Sequence, residues 1–317
     1  MSDALVHTTA LMGTVVTMHV VGTGTSAAHA AARAAAVERS VEWFEQVTRA
    51  CSRFDAQSEL SRLSARAGAP VAVSPVLFEL IRFALGVAEE TEGAFDPTVG
   101  HRMRVRGFDE EFRRGERAPA FDADSAATWR DIFVDEERRT VTLGAPLVLD
   151  LGAVAKGFAV DMAARELQRF EHFAIDAGGD LYLAGNNANG EPWSVGIRHP
   201  RDPQRIVETL RISNAAVCTS GDYEKTGADG HHILDTTVPT SVSSATSVVS
   251  STVIAPTTMV ADALSTAAFV LGPREGIAFL ERQGVDGFML TPELERVATP
   301  RMRQDFFFAA PFAARAP

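Results

Sequence analysis

Asp150 and Lys156 bracket a run of small residues in LDLGAVAKG, residues 149–157. An apolar stretch delivers the Asp, and Gly152 and Ala153 would let backbone approach a ligand closely. A helix N-terminus offers unpaired N–H groups to an anion, and Lys156 would add a point charge, so the segment suits phosphate. A plain strand–turn–helix with a surface lysine fits the same residues. In ADALST, residues 261–266, Asp262 and Thr266 stand at helical spacing and would share one face. Carboxylate and hydroxyl oxygens suit Mg2+, a hard cation that borrows further ligands from substrate phosphates. Equally, Asp262 could serve only the orphan N–H groups of a first helical turn.

Three further segments carry reactive side chains. HHILD, residues 231–235, holds a histidine pair, and a histidine can act as a base near neutral pH. Neighbouring strand residues face opposite sides, so at most one of His231 and His232 serves a given site. A hydrogen-bonded structural histidine is the usual alternative. DAGGD, residues 176–180, sets Gly-Gly between acids, which signals a bulge or close backbone approach to a ligand. Cys218 lies in an apolar stretch with no base beside it and reads as a buried, inert thiol.

The elements that must position these residues mix helices and strands without a βαβ rhythm, which predicts an α+β fold. Strands are expected at 14–21, at two short runs within 131–149, at 173–184 with a Gly-Gly break, at 193–198 and at 205–212. Helices are expected at 26–50 with Ser26 as N-cap, and at 58–65, 75–90, 155–170, 259–271 and 273–283. Residues 22–25 read as a turn and 107–124 as a charged surface excursion. Residues 236–252 are dense in Ser, Thr and Val and show no hydrophobic face. VVGTGTSA, residues 20–27, matches the glycine pattern of dinucleotide-binding turns. Its acidic partner would be Glu42, inside the following helix, so a glycine turn opening a helix is the better reading.

The 317 residues are 46% hydrophobic and 22% charged, an ordinary globular composition. A net charge of −11 argues against a nucleic-acid surface, which needs clustered Lys and Arg. An anionic substrate would need local compensation. No secretory signal and no membrane-spanning run is readable, so a cytoplasmic location without membrane insertion is expected. Two cysteines without a CxxC pair make a disulfide framework or a thiolate zinc site improbable.

Taken in order, Met12–Gly13–Thr14, SRFDAQSELSRL (52–63), AFDPTVG (94–100), LDLGAVAKG, DAGGD, TSGDYE (219–224), HHILD and ADALST resemble the FAD:protein FMN transferase family, often called ApbE. The resemblance runs from about residue 12 to 284. It implies a T-fold-like α+β core and a single flavin-transferase domain over 1–317, divided at most into two lobes. It further implies FAD and Mg2+ as ligands, and transfer of FMN from FAD to a Thr or Ser hydroxyl of a client protein with release of AMP. Carried over by motif, Met12, Phe54, Ala94, Phe95 and Asp96 would line the flavin pocket. Asp150 and Lys156 would hold FAD near its phosphates. The Ala153 carbonyl, Asp262 and Thr266 would hold the metal, with Ser265 as a further candidate. His232 would be the base for the incoming hydroxyl, beside Asp262 as the second catalytic residue.

The chain departs from the family in the turn after HHILD, where residues 236–240 replace the usual Pro and Thr-Gly. An FAD pyrophosphatase giving FMN and AMP, or an FAD-binding protein with little catalysis, are the alternatives this turn raises. Asp176 stands where Asn is common. Thr226–Gly227–Ala228–Asp229 resembles the acceptor motif but ends in a residue without a hydroxyl, so self-modification is not expected.

Overall fold

Strands β1 (Asp3–Leu11) and β2 (Thr14–Gly22) pair antiparallel across a two-residue turn, with φ of 50° at Met12 and 71° at Gly13. Positive φ at both positions gives a turn whose twist matches that of the strands. In this computed structural model, residues 3–22, 26–110, 115, 117–224, 226–227, 230–238 and 242–303 are described. The expected turn at 22–25 lies mostly outside them, as do parts of the 107–124 excursion and of the 236–240 turn.

Serine caps open the first helices, the one at Ser26 as expected. Ser26 accepts the His29 N–H ahead of α1 (Ala27–Cys51), and Ser58 accepts the Ser61 N–H ahead of α2 (Glu59–Ser64). After the short strand β3 (Val71–Ala72), Ser74 caps α3 (Pro75–Glu90), whose Pro75 stands where a missing N–H costs nothing. Then follow α4 (Gly100–Val105), β4 (Ile132–Asp135), β5 (Thr140–Leu143), α5 (Gly152–Leu167), β6 (Phe173–Ala177) and β7 (Leu181–Ala184). The hairpin β8 (Trp193–His199) and β9 (Asp202–Ile212) precedes β10 (Ala215–Gly221), β11 (Thr226–Gly227) and β12 (Gly230–His231). Last come β13 (Ser250–Ala255), α6 (Thr258–Arg282), β14 (Asp286–Leu290) and β15 (Arg296–Ala298).

Among the described residues, eight strands form one antiparallel sheet in the order β1-β2-β6-β7-β10-β13-β14-β15. Its helical face carries the main core, in which Met18, Ile175 and Cys218 pack with Phe44 of α1, Phe158 of α5 and Phe269 of α6. The opposite face meets the β8–β9 hairpin through Val217, Ile254 and Phe288 against Val195, Ile197 and Leu210. The fold is therefore α+β, as the element pattern predicts.

Two boundaries differ from expectation. Helix α5 begins at Gly152 rather than 155, because the Asp150 carboxylate accepts the Gly152 N–H, and it ends at Leu167 rather than 170. Strand β13 begins only at the last three residues of the Ser/Thr/Val stretch, runs on to Ala255, and is buried at every position. Covered on both faces, it has no exposed side to impose an alternation. Helix α6 breaks at Gly272, just before Pro273, which accounts for the two separate helices the sequence predicts there. No helix among the described residues is long and apolar enough to cross a membrane.

Candidate active site

The site is built where α5 meets α6. A Cβ on Gly157 would lie 2.6 Å from the Thr258 carbonyl oxygen and 2.7 Å from the Met259 backbone, so glycine alone permits this approach. The approach lets the Gly157 N–H donate to Asp262 Oδ2 at 3.3 Å, with Asp262 only 6% exposed. In a helical repeat the Gly157 N–H faces the carbonyl of Ala153. The Ala153 carbonyl and the Asp262 carboxylate are therefore aimed at the same small region.

Asp161, one turn further along α5, fixes the other helix. Its carboxylate accepts the Thr258 N–H at 2.7 Å and the Met259 N–H at 3.0 Å, the first donors of α6. Loss of water around the carboxyl pushes its pKa from 3.8 up to about 6, against the two N–H bonds that favour the charge. A carboxyl raised on folding adds stability below its unfolded pKa and loses it as pH climbs through the folded value. Tm is therefore expected to carry a component that falls between about pH 4 and 7, and Asp161→Asn should remove it. Thermal melts across that range check this, and an Asn variant with the wild-type slope would refute it.

Lys156 pairs with Asp180, whose side chain is 4% exposed. Asp180 is delivered by the β6–β7 turn, where Ala177 and Asp180 close a hairpin over Gly178 and Gly179. Gly178 packs so tightly on Thr14 that a Cβ there would meet the Thr14 side chain, which sets the start of β2 against the turn that delivers Asp180. Cys218 lies between these charges. Burial pushes its thiol well above the ordinary range, with Asp262 and Asp161 adding to the shift and Lys156 opposing it. A buried thiol held in its neutral form is a poor nucleophile, in line with its apolar strand.

Three hydroxyls continue from Asp262. Ser265 Oγ donates to the Asp262 carbonyl at 2.9 Å, and Ser220 Oγ of β10 lies 2.7 Å from Ser265 Oγ and 3.0 Å from Thr266 Oγ1.

The second half of the site hangs on residues 94–97. Ala94 and Phe95 are 4% and 5% exposed, and their side chains belong to the core. Asp96 is committed to Arg102 at 2.9 Å and to the N–H and hydroxyl of Thr98. The Pro97 carbonyl accepts the Asp150 N–H at 2.8 Å, and the Ala94 carbonyl accepts the Thr236 hydroxyl at 2.6 Å. The rebuilt turn after HHILD is thus tied to the loop that carries AFDP.

Arg53 joins the two halves. Its Nε lies 2.7 Å from Asp150 Oδ2, its guanidinium stacks 4.3 Å from the centre of the Phe54 ring, and it donates to the Phe108 carbonyl. The Phe108 ring in turn meets the half-buried His232 edge-on, with centroids 6.4 Å apart. His231 faces elsewhere. It is buried, 2.7 Å from the Ala245 carbonyl and edge-on to Phe269, and burial holds its pKa below the ordinary range. The acceptor-like segment contributes β11 with Thr226 and Gly227, while Asp229 lies outside the described residues.

Asp150, Ala153, Lys156, Asp262, Ser265 and Thr266 are thus gathered around the start of α5. Phe54 and His232 connect to them through Arg53 and Phe108, while Met12 packs against the core from the β1–β2 turn. Residue reasoning alone missed Arg53, Asp161, Asp180 as the partner of Lys156, and Ser220. Arg53, Asp180 and Ser220 lie inside segments singled out for another residue and Asp161 lies one turn past another, and that clustering is the signal that could have found them.

A sequence model of the ApbE family matches residues 12–289. The chain belongs to the ApbE family. A protein of Vibrio cholerae serotype O1 named FAD:protein FMN transferase is 33% identical over 258 residues, covering 78% of this chain and 76% of its own. Another of that name, from Treponema pallidum, is 33% identical over 290 residues, covering 82% and 78%. Among solved structures, the ApbE protein of Thermotoga maritima superposes with a TM-score of 0.81 at 28% identity, covering 95% of this chain and 98% of that one. The flavin transferase ApbE from Vibrio cholerae gives 0.81 at 28%, covering 96% and 99%.

Proposed function

We propose that the chain transfers the FMN half of FAD to a Thr or Ser hydroxyl of a client protein and releases AMP. The observation that carries this reading is the α5–α6 junction, where a helix N-terminus, Lys156 and the Asp262 carboxylate face one region. That is the equipment for a pyrophosphate, whose charge must be neutralised as its bridging bond breaks.

The donor set fits Mg2+. It is oxygen-only, with the Asp262 carboxylate, the Thr266 hydroxyl, the Ala153 carbonyl and Ser265 beside them. Among the described residues no group of three or more His, Cys, Asp or Glu is gathered for a metal. Such a set suits an ion that completes its shell with phosphate and water. Bound there, Mg2+ would stabilise charge on the pyrophosphate and on the departing AMP.

The chain supplies the rest. Lys156 and Asp150 position FAD near its phosphates, and Met12, Phe54 and the 94–96 backbone bound the flavin. His232 takes the proton of the incoming hydroxyl as its oxygen bonds to the phosphorus of the FMN half. The bond from that phosphorus to AMP breaks, and AMP leaves with its electron pair.

Incubating the chain with FAD, Mg2+ and a peptide of hydroxyl residue–Gly–Ala–Thr should add one FMN to the peptide, read by mass spectrometry. Release of AMP at the same rate with and without peptide, and no adduct, would replace transfer by hydrolysis.

A further inference from the structure

We infer that Ser220 is a positioning residue, one that aims the lone pairs of Thr266 at the cation. This rests on the proposed Mg2+ site. The argument is an account of hydroxyl protons. Each serine or threonine hydroxyl has one proton to give and lone pairs to receive with. The Ser265 proton is spent on the Asp262 carbonyl, 2.9 Å away. The 2.7 Å contact between Ser265 and Ser220 still requires a proton between the two oxygens, so Ser220 must supply it. Ser220 then has none left for Thr266, 3.0 Å away, and the Thr266 proton must point at Ser220. The hydroxyls run in one direction, Thr266 to Ser220 to Ser265 to the Asp262 carbonyl.

The direction matters because a hydroxyl binds a cation through its lone pairs. Without a fixed acceptor, the Thr266 hydroxyl could rotate its proton toward the ion. Ser220 provides that acceptor from a separate element, the end of β10, and the chain of bonds returns to the backbone of Asp262 itself. The relay therefore ties the Thr266 hydroxyl to the backbone of the same helix turn that carries Asp262. Partners of this kind behind metal ligands typically account for 10–100-fold in metal affinity.

The test compares full-length wild type with Ser220→Ala and Ser220→Thr. Mg2+ affinity is measured by calorimetry, and FAD affinity separately in the absence of metal. Ser220→Ala is expected to weaken Mg2+ about tenfold or more while FAD affinity in chelator changes less than about twofold. Ser220→Thr keeps the hydroxyl and should restore Mg2+ affinity to within about threefold of wild type. Wild-type Mg2+ affinity in Ser220→Ala overturns the inference alone, as does a Thr variant as weak as the Ala variant. Failure of wild type to bind Mg2+ overturns the metal site and this inference with it.

Discussion

Asp262→Ala should lower Mg2+-dependent turnover of FAD by about a hundredfold or more, while FAD binding in chelator stays near wild type. The asymmetry comes from the site. Asp262 is the carboxylate on the α6 face proposed to meet the cation, and it accepts the Gly157 N–H. Removing it takes away the negative charge that holds a divalent ion. The Arg53–Asp150 pair and the 94–97 loop, proposed to lie on the FAD side, are left intact. Steady-state AMP release across a Mg2+ titration, beside an FAD binding curve without metal, measures both effects. Turnover equal to wild type at every Mg2+ concentration would remove Asp262 from the metal site.

Gly157→Ala should damage both stability and activity. The added methyl meets the backbone of Thr258 and Met259, which no side-chain rotation can move aside. Overpacking of this kind costs about 1–3 kcal/mol, or several degrees in Tm for a chain of this size. The helices can relieve the clash only by separating, which pulls Asp262 away from the first turn of α5. Activity should therefore fall by more than the loss of folded protein explains. The control is Gly86→Ala in helix α3, where φ is not positive and a Cβ meets no neighbouring atom within 4 Å. Melting curves and specific activity of both variants separate the two effects. A Gly157→Ala chain with wild-type Tm would contradict the close contact.

How much of this was legible in the sequence depends on range. Helix starts are local, so α1 with its Ser26 cap, α2 and α3 were placed to within a residue of where they begin. The alternation of β2 was equally plain, since one of its faces is more open than the other. Strand β13 escaped because burial on both faces erases the period that reveals a strand. Strand β1 was not anticipated at all. In the site, Asp262 and Thr266 were visible from helical spacing and Lys156 from the run of small residues before it. What joins them was not. Lys156–Asp180, Arg53–Asp150 and Thr236–Ala94 are pairings between distant segments, set by sheet order and helix packing. Ser220 could be assigned only after the strand end that holds it had been placed beside α6.

The break at Gly272 gives α6 two different obligations. Residues 258–271 are anchored by Asp161 and Gly157 and carry Asp262, Ser265 and Thr266. Residues 273–282 follow a new direction and pack Ile277, Phe279 and Leu280 into the core. Because the helical hydrogen-bond ladder is interrupted between them, a shift in the second segment is not transmitted along a rigid rod to the first. Descendants of this sequence can thus repack the distal segment without renegotiating the geometry around Asp262, and the kink works as a boundary between a part of the helix open to drift and a part held by its chemistry.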